Sequence, residues 1–136
     1  MAVLSQGRGA LRVMNPGSRS AFAGFAEEWI EAFNAHDVER ILRHYHPDII
    51  LISPLYLVRT GGLSDQVSGI DALRAYFAGA LRRYPDLYFQ LLDIADGARG
   101  PCLRYRSSID GRIGLEAFEL DGNEKATRVT CHYIPG

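Results

Sequence analysis

The hydrophobic pattern changes period at Pro85. Before it, apolar residues recur every three or four positions; after it, they alternate. A chain that reads as helices first and strands afterwards must cover one face of a sheet with its helices, which is an α+β arrangement. The period therefore constrains the architecture before any single residue is considered.

Three helices are expected upstream. Phe22, Phe25, Ala26, Trp29, Ile30 and Phe33 form one stripe, with Ser18 or Ser20 available to cap its start. Asp37 suits the N-cap of a short second helix whose face is Val38, Ile41, Leu42 and Tyr45, stopped by Pro47. A first strand is expected over Asp48–Ser53, ending at Pro54, and a polar loop over Leu55–Val67. Ser68 and Asp71 read as a capping box for a third helix carrying Ile70, Leu73, Phe77, Ala80, Leu81 and Tyr84. Arg82 and Arg83 complement that helix's negative end before Pro85 closes it.

Downstream, four strands are expected at Leu87–Ile94, Cys102–Ile109, Ile113–Leu120 and Lys125–Tyr133. Asp110-Gly111 and Asp121-Gly122 supply turns between the last three. Alternation puts Leu103, Tyr105 and Ser107 on one face and Arg104 and Arg106 on the other. Val129, Cys131 and Tyr133 likewise oppose Arg128, Thr130 and His132. By this parity Cys102 and Cys131 point to opposite faces, which disfavours a disulfide between them. Ile113–Leu120 differs, because both of its faces are largely apolar. One carboxylate, Glu116, shares a face with Gly114, Phe118 and Leu120. An acid among such neighbours is the most informative residue in the chain.

Charge and composition exclude several classes. Fifteen basic residues against sixteen acidic ones offer no field for nucleic acid. The aliphatic run Ile49–Ile52 is far short of the ~20 residues a membrane-spanning helix needs, so no membrane is expected. Two cysteines make no disulfide framework, and a reducing cytoplasm is the expected compartment. Residues 1–19 contain three arginines, several helix breakers and no acid. They read as a disordered or loosely ordered tail, or as a segment upstream of Met14 as the functional start, with residues 20–136 as a single domain. No nucleotide loop or nucleophile elbow is present. His44 and His46 resemble metal ligands, but residues two apart at a helix end diverge, and neither metal nor cofactor is expected.

Four segments in order carry a resemblance: Trp29–Asp37, Tyr45–Pro54, Ser68–Phe77 and Phe118–Lys125. Together they resemble the nuclear transport factor 2-like superfamily, in its SnoaL-like and ketosteroid isomerase-like branch, over about Phe22–Tyr133. The resemblance implies a cone-shaped fold. A curved, largely antiparallel sheet wraps a long helix and leaves a mostly apolar pocket. It also implies a homodimer through the sheet's outer face, where Arg104, Arg106, Arg128 and Thr130 are expected.

Residue roles follow by position. Trp29 stands where isomerases have a substrate-binding tyrosine; its indole N–H can donate but cannot accept. Ser53 stands where they have the general-base aspartate, and a hydroxyl is no base without a partner. Glu116 matches an acid used as a hydrogen-bond donor in isomerases and as acid/base in cyclases. Tyr45 matches an aromatic lining position. The expected site is thus Glu116 as the catalytic group, with Trp29, Tyr45, Ser53, Phe77, Leu103, Tyr105, Phe118 and Cys131 around a small apolar ligand. Two functions fit. One is an isomerase, cyclase or dehydratase acting on a polyketide-, steroid- or terpenoid-like molecule. The other is a non-catalytic dimeric module that binds a ligand or another protein.

Overall fold

The computed structural model describes residues 19–135. The expected tail therefore lies, apart from Arg19, outside the described residues. Two helices, α1 (Ala23–Asn34) and α2 (Val38–Leu42), lead into strand β1 (Tyr45–Ile52). Helix α3 (Pro54–Arg59) and strand β2 (Gln66–Ser68) precede the long helix α4 (Ile70–Arg83). Strands β3 (Phe89–Asp96), β4 (Pro101–Ser107), β5 (Ile113–Leu120) and β6 (Ala126–Ile134) complete the chain.

The six strands form one sheet in the order β2-β1-β6-β5-β4-β3. Every pairing is antiparallel except β1 with β6. Register shifts at Leu91/Asp93 and Glu119/Leu120 bend the ladder and curve the sheet. The helices fill the concave side. Phe25, Trp29 and Phe33 of α1 and Leu73, Phe77 and Leu81 of α4 are buried there with Leu103, Tyr105, Phe118 and Val129 of the sheet. No helix among the described residues is long and apolar enough to cross a membrane.

Local chemistry explains where the elements begin. Asp37 caps α2 by accepting the Arg40 N–H at 3.1 Å. Ser20 accepts from the Phe22 N–H at 3.0 Å, although the cap position itself is Phe22. Pro47 does not stop α2, which ends earlier, at Leu42; it lies within β1. The β1–β6 register is interrupted between Tyr45 and Ile50, so the missing N–H of proline breaks no ladder bond there.

The capping box expected at Ser68 and Asp71 does not form. Ser68 belongs to β2, paired with Ile50, and the N-cap of α4 is Gly69. Gly69 has φ 89°, a left-handed conformation that favours glycine, and its N–H donates to the Ile49 carbonyl at 2.8 Å. The expected loop Leu55–Val67 also contains regular structure. Ser53 accepts from the Leu55 N–H at 3.2 Å with Pro54 at the first helical position, which starts α3.

Candidate functional site

The curved sheet and its helices do not close completely. Between α3, α4 and the concave face lies a cavity of about 540 Å³, within the range of small-molecule sites. Its deep wall is built by alternate residues of neighbouring strands. Glu116 of β5 pairs with Leu103 of β4 on one side and Cys131 of β6 on the other. Tyr105 pairs with Gly114, two residues from Glu116 on the same face. Its hydroxyl crosses that gap and donates to Glu116 Oε1 at 2.6 Å. Gly114 makes the crossing possible: a Cβ there would lie 2.4 Å from the Tyr105 ring.

Glu116 is 6% exposed and Tyr105 1%. Burial raises the Glu116 carboxyl from an ordinary 4.5 to about 7, while hydrogen bonding from Tyr105 and then Cys131 opposes the rise. Tyr105 donates to Oε1, and the Cys131 thiol also hydrogen-bonds the carboxyl. Cys131 is itself held well above its usual range, first by burial and then by the Glu116 charge, so its thiol stays neutral. Burial also pushes the Tyr76 hydroxyl up to about 12. The deep wall thus offers neutral donors and one carboxyl that changes charge near neutral pH.

The nine residues expected from the sequence divide into two groups. Glu116, Tyr105, Cys131, Ser53 and Phe77 line the cavity together. Trp29, Tyr45, Leu103 and Phe118 are buried in the core and do not belong to its lining. The indole N–H of Trp29 is already engaged, donating to the Tyr45 hydroxyl at 2.9 Å. The Trp29 ring stacks on Phe89 at 5.8 Å and meets the Phe118 ring edge-on at 5.5 Å. These rings back the wall that carries Tyr105. Ser53 is buried, and its oxygen serves as the cap of α3.

Other lining residues were not read from the sequence. Leu55, Val58 and Arg59 lie on α3, at the helical spacing of three and four that follows the Ser53-Pro54 start signal. Ala80 lies on the α4 stripe with Phe77, and Tyr76 and Arg83 lie beside that stripe. Tyr133 shares the face of Cys131 by parity. Arg112 stands in the turn before β5, where no periodicity points to it.

The comparisons with known proteins agree with this architecture. Residues 26–134 match the family model of the SnoaL-like domain. A SnoaL-like protein of unknown function from Burkholderia thailandensis is 33% identical, with a TM-score of 0.78 over 82% of this chain and 92% of that one. At 20% identity, a cystatin-fold protein from Novosphingobium aromaticivorans shares the fold, with a TM-score of 0.61 over 79% of this chain and 93% of the other. So does a proposed polyketide cyclase from Sinorhizobium meliloti, 10% identical, with a TM-score of 0.66 over 80% and 94%. No curated protein matches the chain. With four-fifths of its length inside one family model, and a solved SnoaL-like structure one-third identical to it, the chain belongs to the SnoaL-like family.

Proposed function

We propose that the protein is an enzyme of the isomerase, cyclase or dehydratase type, acting on a small, mainly apolar molecule through Glu116. One observation carries the reading: a carboxyl in the wall of an apolar cavity, with its proton affinity raised to about 7 and one oxygen held by Tyr105. Such a group exchanges a proton with a bound substrate near neutral pH at little cost in driving force. Ser53, at the position of the isomerase base, accepts from the Leu55 N–H and has no basic partner among the described residues. Glu116 therefore takes a proton from one position and returns it at another, or protonates a leaving hydroxyl. Ser53, Phe77, Tyr105 and Cys131 contact the substrate. Trp29, Tyr45, Leu103 and Phe118 hold that wall in place.

The test is solvent-deuterium exchange at the activated methylene of 2-tetralone, followed by proton NMR. Wild-type protein is expected to exceed the buffer rate, and Glu116→Gln to fall to it. Equal rates for the two proteins would remove Glu116 from the chemistry.

The engaged Ser53 oxygen also supports a second reading, a ligand-binding module without turnover. Tight binding of a cavity ligand, with no exchange in any carbonyl compound tried, would favour it.

The outer face of the sheet supports a homodimer. Leu115 lies between Arg104 and His132, and Ala117 between Cys102 and Thr130, and both residues are only partly buried. A second copy placed on that face would bury Leu115 and Ala117. Sedimentation is expected to give a dimer that Leu115→Glu converts to monomer; a wild-type monomer would contradict it.

A further inference from the structure

The cavity's polar groups are sorted by depth. Glu116, Tyr105, Ser53 and Cys131 are buried, whereas Arg59 and Arg83 are exposed at the mouth and Arg112 is partly so. The three arginines come from three elements: Arg59 ends α3, Arg83 ends α4, and Arg112 precedes β5. Arg112 Nη2 pairs with Asp110 at 2.8 Å, an acid that is itself largely exposed. The ion pairs of the described residues include neither Arg59 nor Arg83.

Two ordinary explanations fall short. A cation in a helix's last turn is favoured by the dipole wherever its side chain points. Arg82 occupies the same turn as Arg83 and is absent from the cavity lining, so the dipole does not account for the direction of Arg83. Nor do the arginines neutralise Glu116. The influences on that carboxyl are burial, Tyr105 and Cys131, with no guanidinium among them. The field of Arg83 does reach the Tyr76 hydroxyl in the cavity wall.

We infer that the mouth is an anion-binding rim, and that the cavity's ligand is an apolar body whose outer end carries a carboxylate or phosphate held by Arg59, Arg83 and Arg112. The inference rests on the reading of the cavity as a small-molecule site. A guanidinium presents a planar fork that matches the oxygens of either anion, and two forks without carboxylate partners supply it without displacing an existing ion pair. The apolar body then reaches inward, past Tyr84 and Leu87, toward the neutral groups of the floor.

Matched acid and alcohol pairs test this by titration calorimetry on the full chain at about pH 6, where the probe acids are ionised. The pairs are 2-naphthaleneacetate with 2-naphthaleneethanol and decanoate with decanol. At least one acid is expected to bind about tenfold or more tighter than its alcohol, the worth of a hydrogen bond to a charged group. Arg83→Gln and Arg59→Gln should each reduce that preference and leave alcohol binding unchanged, and Arg82→Gln should keep it. Equal binding of acid and alcohol would overturn the rim while leaving the cavity reading intact. Equal losses in Arg82→Gln and Arg83→Gln would also overturn it, since bulk charge would then suffice. Binding of no probe would overturn the small-molecule reading, and the rim with it.

Discussion

The hydroxyl of Tyr105 meets Glu116 Oε1 at 2.6 Å by passing over the bare backbone of Gly114. Three residues on two strands thus form one unit: a buried acid, its donor, and the missing side chain that lets them touch. The donor lowers the proton affinity that burial raises, and the balance stands at about 7.

Removing the donor should tip that balance upward. Tyr105→Phe is expected to raise the Glu116 pKa above its wild-type value and to destabilise the fold by about 1–3 kcal/mol, the cost of an unpartnered buried oxygen. Carboxylate NMR and thermal melting check the two effects separately. An unchanged pKa would show that the hydrogen bond carries no weight in solution.

Gly114→Ala should reach the same result by another route. A Cβ would stand 2.4 Å from the Tyr105 Cζ and 2.6 Å from its hydroxyl oxygen, so the ring must move. Overpacking of this kind costs about 1–3 kcal/mol. The Glu116 pKa should rise as it does in Tyr105→Phe, and the double variant should add little further rise.

Glu116 also links stability to pH. Its folded pKa lies above its unfolded one, so the folded state holds the proton more tightly. Stability is therefore full below about pH 4.5 and falls as the pH rises to about 7, by about 3 kcal/mol in all. Glu116→Gln cannot lose a proton and should remove this decline. Denaturant melts across that window should show the variant gaining on wild type as the pH rises. Parallel curves would mean an ordinary carboxylate.

Trp29 gives a contrast between packing and ligand contact. Its N–H bond to Tyr45 is buried at 2.9 Å, and its ring is walled in by four other aromatic rings. Trp29→Phe should cost about 1–3 kcal/mol of stability while leaving the affinity of the preferred naphthyl or decyl probe within a few-fold. A large loss of affinity in a folded variant would return Trp29 to the cavity wall.

Much of this arrangement is legible in the sequence, for reasons that differ between residues. Strand parity alone sends Tyr105, Glu116 and Cys131 inward and Arg104 and Arg128 outward, because alternation is a local property of extended backbone. Parity cannot tell whether an inward side chain meets a neighbour or an empty space. That depends on long-range volume: Trp29, Phe33, Phe89, Tyr105 and Phe118 fill one part of the cone, so Leu103 and Phe118 pack there while Phe77 and Cys131 reach the cavity. Helix α3 was signalled by Ser53-Pro54 and by the spacing of Leu55, Val58 and Arg59, but its six residues are too few for a period to stand out. Arg112 is in a turn, and only the tertiary fold brings it to the mouth.

The proton affinity of Glu116 is the quantity on which the account depends. It is measured by ¹³C NMR or infrared titration of the carboxyl, with Glu116→Gln identifying the signal. The expected midpoint is near 7, well above the ordinary 4.5, as burial in a dry wall requires. A midpoint at or below 4.5 would place the group in water or beside a cation and would contradict its role as the acid and base of the cavity.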